Sequence, residues 1–84
     1  MDIAEKAKEM IEGKIKENGY ILDEVSYVLE DNNYYLRVVI DKNGIIDIED
    51  CVTVTRIIDP ILDDATFIKD SYILDVCSKE KGCE

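Results

Sequence analysis

The chain has no histidine and no tryptophan, and only one proline, one phenylalanine, four glycines and three cysteines among its 84 residues. Each scarcity removes something. Without histidine the usual general base near neutral pH and the commonest zinc ligand are missing, so triads and dyads built on it are excluded. Carboxylates, lysine and cysteine remain, but no arrangement of them in the sequence points to catalysis, and no enzymatic activity is expected. The cysteines, Cys51, Cys77 and Cys83, stand 26 and six residues apart. A structural zinc site needs four ligands, typically in close pairs, so neither a metal nor any other cofactor is expected. An odd, sparse count reads as reduced thiols. Cys51 reads as a core residue, while Cys77 and Cys83 read as surface positions able to pair under oxidation without the fold needing the bond.

Few glycines and prolines, with 46% hydrophobic and 36% charged residues, describe a chain that folds, since disordered segments have too little apolar surface to bury. No apolar run approaches the ~18 residues of a membrane span. Asp2 and Glu5 sit where a secretory signal would carry positive charge, so a cytoplasmic protein is expected. Basic residues are also short: ten Lys and Arg face twenty Asp and Glu, a net charge of −10. Phosphate contacts need a cationic surplus, so a general nucleic-acid binder is disfavoured, as is docking on anionic membranes. A basic partner is favoured.

Residues 2–18 carry Ile3, Ala7, Met10, Ile11 and Ile15 at spacings of three and four, which predicts an amphipathic helix closed by Asn18-Gly19. Residues 20–30 predict a strand with Val25, Tyr27 and Leu29 inward and Glu24, Ser26, Val28 and Glu30 outward. The apolar pair Ile21-Leu22 calls for a bulge near Asp23 and Glu24 to keep that register. Asp31-Asn32-Asn33 predicts a turn. A second strand follows over 34–41, with Tyr34, Leu36, Val38 and Ile40 on one face and Tyr35, Arg37, Val39 and Asp41 on the other. Asp47 is placed to cap a second helix over 48–63, whose stripe is Cys51, Val54, Thr55, Ile58 and Leu62. Pro60 should kink its last turn or end it near Ile58. A polar loop holds Asp63, Asp64 and Asp70, with Phe67 turned inward. Residues 71–77 predict a third strand with Tyr72, Leu74 and Val76 inward and Ile73, Asp75 and Cys77 outward. A domain over 1–77 with a mobile tail over 78–84 is expected.

The order helix, strand, strand, helix, strand gives an α+β fold. It is a two-layer sandwich in which both helices cover one face of a three-stranded sheet. Strand order 1-2-3 is expected, because the second strand is the most continuously apolar; the rival puts the first strand in the centre of an all-antiparallel sheet. The face away from the helices would then show Tyr35, Arg37, Val39, Asp41, Ile73 and Asp75. A solvated face would be polar at these positions, so the six are the candidate partner-binding residues. Arg37 has a plainer role open to it, pairing with Asp75 or Glu24 across the strands. Asp41-x-Asn43-Gly44-x-x-Asp47 has its glycine too early for a calcium loop and reads as a turn leading into a helix cap.

The segments Gly19-Tyr20, Leu36-Arg37-Val38-Val39-Ile40-Asp41, Cys51, Thr55-Arg56, Leu62-Asp63 and Tyr72-Ile73-Leu74-Asp75-Val76 are similar, in order and spacing, to the N-terminal domain of the RimP family of bacterial ribosome maturation factors. The family pattern there is roughly G-Y-x-L, L-R-V-x-I-D, D-D-C-x-x-[ST]-R, L-D and Y-x-L-E-V-S-S-P-G. Asp75 replaces the usual Glu, Ser26 stands where Glu is frequent, and Cys77-Ser78-Lys79-Glu80-Lys81-Gly82 replaces the Ser-Ser-Pro-Gly run. The family continues into a small β-barrel domain. The chain is then either a fragment or a short natural relative, and the altered tail leans toward the relative, since a truncation would keep the Pro-Gly. The resemblance implies a non-catalytic module that binds the free small ribosomal subunit, through a basic small-subunit ribosomal protein first and rRNA second. The other readings are a stand-alone acidic interaction domain or regulator, and a thiol-based metal or cluster carrier.

Overall fold

In the computed structural model, residues 2–66, 68 and 71–79 are described. The elements are α1 (Ile3–Glu17), β1 (Ile21–Glu30), β2 (Asn33–Asp41), α2 (Ile48–Asp63) and β3 (Tyr72–Ser78). The sheet order is β1-β2-β3, with β1 antiparallel and β3 parallel to the central β2. This is the expected α+β sandwich with strand order 1-2-3. Phe67, Asp70 and residues 80–84, including Cys83, lie outside the described residues, so the expectations placed on them are not taken further.

Local chemistry sets the element boundaries. Asp2 caps α1 by accepting from the Glu5 amide at 2.9 Å, and Asn18 closes it ahead of Gly19 at φ +85°. Asp31 and Asn32 both take positive φ, +50° and +67°. That is the two-residue hairpin turn whose twist matches the strands it joins. The register of β1 on β2 shifts between Leu22 and Glu24, as the adjacent apolar pair requires: the bulge turns Leu22, Val25 and Tyr27 all toward the core. Tyr27 stacks on Tyr34 with ring centroids 5.0 Å apart.

The core takes Ala7, Ile11 and Ile15 from α1, Leu36, Val38 and Ile40 from β2, and Val54, Ile58 and Leu62 from α2. Both helices therefore pack on the same face of β2. Ile46, in the connection before α2, is fully buried with them.

The structure departs from the sequence reading at Leu29, Cys77 and Ser78. Leu29 is exposed, because the core cluster reaches only as far as Tyr27 along β1. α2 covers the expected 48–63 and runs through Pro60 to Asp63, so of the two outcomes open to Pro60 the early end near Ile58 is not the one found. Arg56 and Pro60 are both exposed, so water can replace the donor that proline lacks. Pro60→Ala is accordingly expected to raise stability by about 1 kcal/mol by restoring a helix hydrogen bond. A thermal melt checks this, and an unchanged or lower midpoint would contradict it. Cys77, expected at the surface, is only 4% exposed. It is disulfide-bonded rather than the reduced thiol expected, while Cys51 takes part in no disulfide. The Cys77 sulfur lies 3.7 Å from the Val38 carbonyl oxygen, a packing contact only, since a disulfide sulfur has no proton to donate. Ser78, expected in the tail, closes β3, and the Lys79 amide donates to the Ile40 carbonyl at 2.8 Å.

Candidate functional site

Strand alternation and register assemble the site. Residues paired directly across a sheet point to the same side. β2 leaves Tyr35, Arg37, Val39 and Asp41 on the side away from the helices. Their partners form rows across the sheet: Val28, Tyr35 and Ile73; Ser26, Arg37 and Asp75; Glu24, Val39 and Cys77. Asp41 ends the face opposite Ile21. The structure thus brings together all six residues singled out from the sequence. Ile73 is 47% exposed and the other five are half-buried.

Arg37 is the centre of this face. Its Nε donates to Asp75 Oδ2 at 3.2 Å, and its guanidinium pairs with Glu30 Oε2 at 3.6 Å. The guanidinium carbon lies 5.9 Å from the centre of the Tyr35 ring. The side chain therefore runs along the sheet over Tyr35 toward the hairpin. Of the two carboxylates anticipated for it, Asp75 is the one found. The second partner is Glu30 instead of Glu24, both of which alternation places on this face. Nothing in the sequence says in which direction along the strand an arginine lies. Glu24, Glu30, Asp41 and Asp75 place four carboxylates around the Arg37 guanidinium, and Lys79 pairs with Asp23 at 3.4 Å across the far end of the sheet, so the face is acidic with an apolar floor of Val28, Tyr35, Val39 and Ile73.

A second polar cluster was not anticipated. The Asp50 carboxylate accepts from the Tyr20 hydroxyl at 2.7 Å and from the Asp47 amide at 2.9 Å, and pairs with Lys42 at 3.0 Å. Asp47 returns a bond from the Asp50 amide, completing a capping box. One carboxylate thus ties the start of β1, the loop after β2 and the first turn of α2 together. The capping-box spacing was visible in the sequence, but the Tyr20 contact, 30 residues away, was not. The Asp47 amide, with Tyr20 and Lys42, holds the Asp50 carboxyl well below the usual carboxylate range. The hydrogen bond to Asp50, with burial, pushes the Tyr20 hydroxyl up.

The signs of these two shifts differ in consequence. A carboxyl lowered in the folded state contributes stability above about pH 4, lost as pH falls through its native value. A raised tyrosine contributes below about pH 10, lost as pH rises through its native value. Tyr20→Phe removes one of the groups that lower Asp50. It is expected to cost about 1–2 kcal/mol at neutral pH and to move acid unfolding to higher pH. Circular dichroism across an acid titration measures both, and a variant unfolding at the parent's pH would contradict the assignment.

Among the described residues no group of three His, Cys, Asp or Glu side chains is placed to hold a metal ion, and no helix is long and apolar enough to cross a membrane. Among the described residues no helix covers this face, which is acidic and partly apolar with an ordered arginine at its centre and a buried Cys77 at one end. The order of elements and the strand motifs that build it match a known domain. Over residues 10–79 the chain matches the family model of the RimP N-terminal domain, and it belongs to that family of ribosome maturation factor-like domains.

Proposed function

We propose that this domain is a non-catalytic binding module of small-subunit maturation in the cytoplasm, which docks its open sheet face on a basic protein of the free small ribosomal subunit, with rRNA a secondary contact. Family membership over residues 10–79 is the observation that carries this reading. The charge of the chain chooses between the two kinds of ribosomal surface. At −10 it repels phosphate and attracts lysine- and arginine-rich protein. The sheet face repeats that balance locally, and its apolar floor offers surface to desolvate. Tyr35 and Arg37 are the anchors of this contact, since tyrosine and arginine are enriched at interface hot spots.

The test is a titration against a basic small-subunit ribosomal protein and against duplex RNA, each at low and at physiological salt. Binding to the protein is expected, weakening as salt rises because exposed charges are screened beyond about 10 Å at 0.1 M. Tighter binding to naked RNA would contradict the proposal.

A further inference from the structure

The helix layer carries a second exposed apolar site, on the opposite side of the sandwich from the sheet face. Ile45 is 81% exposed, Ile48 77% and Val52 46%. Ile48 and Val52 are one turn apart on α2 and share a face. Ile46, between the exposed pair, is fully buried and anchors the loop. Scattered surface isoleucines are ordinary, but this backbone is held on both sides. Gly44 at φ +114° turns the chain just before Ile45, and the Asp47–Asp50 capping box fixes the first turn of α2. Tyr20 and Lys42 fasten Asp50 to the body of the domain. The apolar side chains are thus presented on pre-organised backbone, which lowers the entropic cost of binding.

Charge identifies the occupant. Asp59 follows Val52 by seven residues and Ile48 by eleven, near whole numbers of turns, so it continues the same stripe. Asp63 lies close to that line as well. Asp47 and Glu49 flank the apolar end, so four carboxylates lie along a helix whose one basic residue is Arg56. A second copy of this chain would bring the same acids against them. We propose that the outer face of α2 docks an amphipathic cationic protein segment, its apolar side chains on Ile45, Ile48 and Val52 and its basic ones over Asp59 and Asp63. This contact is separate from the sheet face and does not depend on it.

Backbone-amide NMR of the full chain, titrated with a synthetic Leu/Lys amphipathic peptide, tests it. A Lys-only peptide of equal charge and a Leu/Glu peptide serve as comparisons. Saturable shifts are expected at Ile45, Ile48, Val52 and Asp59, stronger than with either comparison peptide. The double variant Ile48→Ser, Val52→Ser should melt with the parent and lose at least about tenfold in affinity as read from the shifts at Ile45 and Asp59. The proposal is overturned by shifts confined to the sheet face, by equal binding of either comparison peptide, or by absence of binding. It is equally overturned by a double variant that folds and binds unchanged, or by concentration-dependent self-association that this variant abolishes, which would make a second copy the occupant.

Discussion

Leu36→Ala is expected to cost about 3 kcal/mol of folding stability, and Tyr35→Ala, one residue earlier on the same strand, about 1 kcal/mol or less. The contrast follows from alternation alone. Leu36 is fully buried at the centre of β2 among side chains from both helices. Shortening it removes apolar contacts and leaves a cavity that the surrounding structure fills only in part. Tyr35 points to the other face, where it packs beside Arg37 and Val28 and has no helix above it. A domain of this size has roughly 4–12 kcal/mol of total stability at about 0.05–0.15 kcal/mol per residue. The first substitution therefore removes a large share and the second a small one. Urea unfolding of the two variants is the check. Equal losses would mean that the open face is as structural as the core.

Arg37→Ala is expected to weaken partner binding at least tenfold, about 1.4 kcal/mol, while costing under about 1 kcal/mol of stability. Its two ion pairs are partly exposed, with 28% of the arginine side chain, 24% of Asp75 and 53% of Glu30 accessible. Pairs of that kind contribute little to folding. The direction of the binding effect separates two accounts of the face. If it is only a negative field, removing the central cation makes it more negative, and affinity for a basic partner rises. If it is a shaped surface, the loss of the guanidinium releases Glu30 and Asp75 from fixed positions and uncovers Tyr35, and affinity falls. The second outcome is the one expected here. Isothermal titration against the basic protein, paired with a thermal melt, distinguishes them.

What could be read from the sequence was what local chemistry controls. The cap at Asp47, the turn at Asp31 and Asn32, the bulge after Leu22 and the two faces of β2 all follow from neighbours a few residues away. Because β2 is central, its alternation alone was enough to name the candidate face. What the sequence withheld depends on distant juxtaposition. Glu30 rather than Glu24 pairs with Arg37 because of the direction in which one long side chain lies. The Tyr20–Asp50 bond joins residues 30 positions apart. Cys77 lies on the outward side, as alternation requires, yet is buried; alternation fixes direction and does not fix what covers a position. Pro60 remains helical because its exposed flank tolerates a missing donor, a property of its surroundings rather than of proline.

The central claim is that this domain binds the free small ribosomal subunit through its open sheet face. Co-sedimentation with purified free small subunits at physiological salt tests it most directly, comparing the parent chain with Tyr35→Ala and Arg37→Ala. The account predicts that the parent sediments with the subunit and that both folded variants remain largely in the supernatant. A parent that never sediments with the subunit, or variants that sediment as fully as the parent, would contradict it.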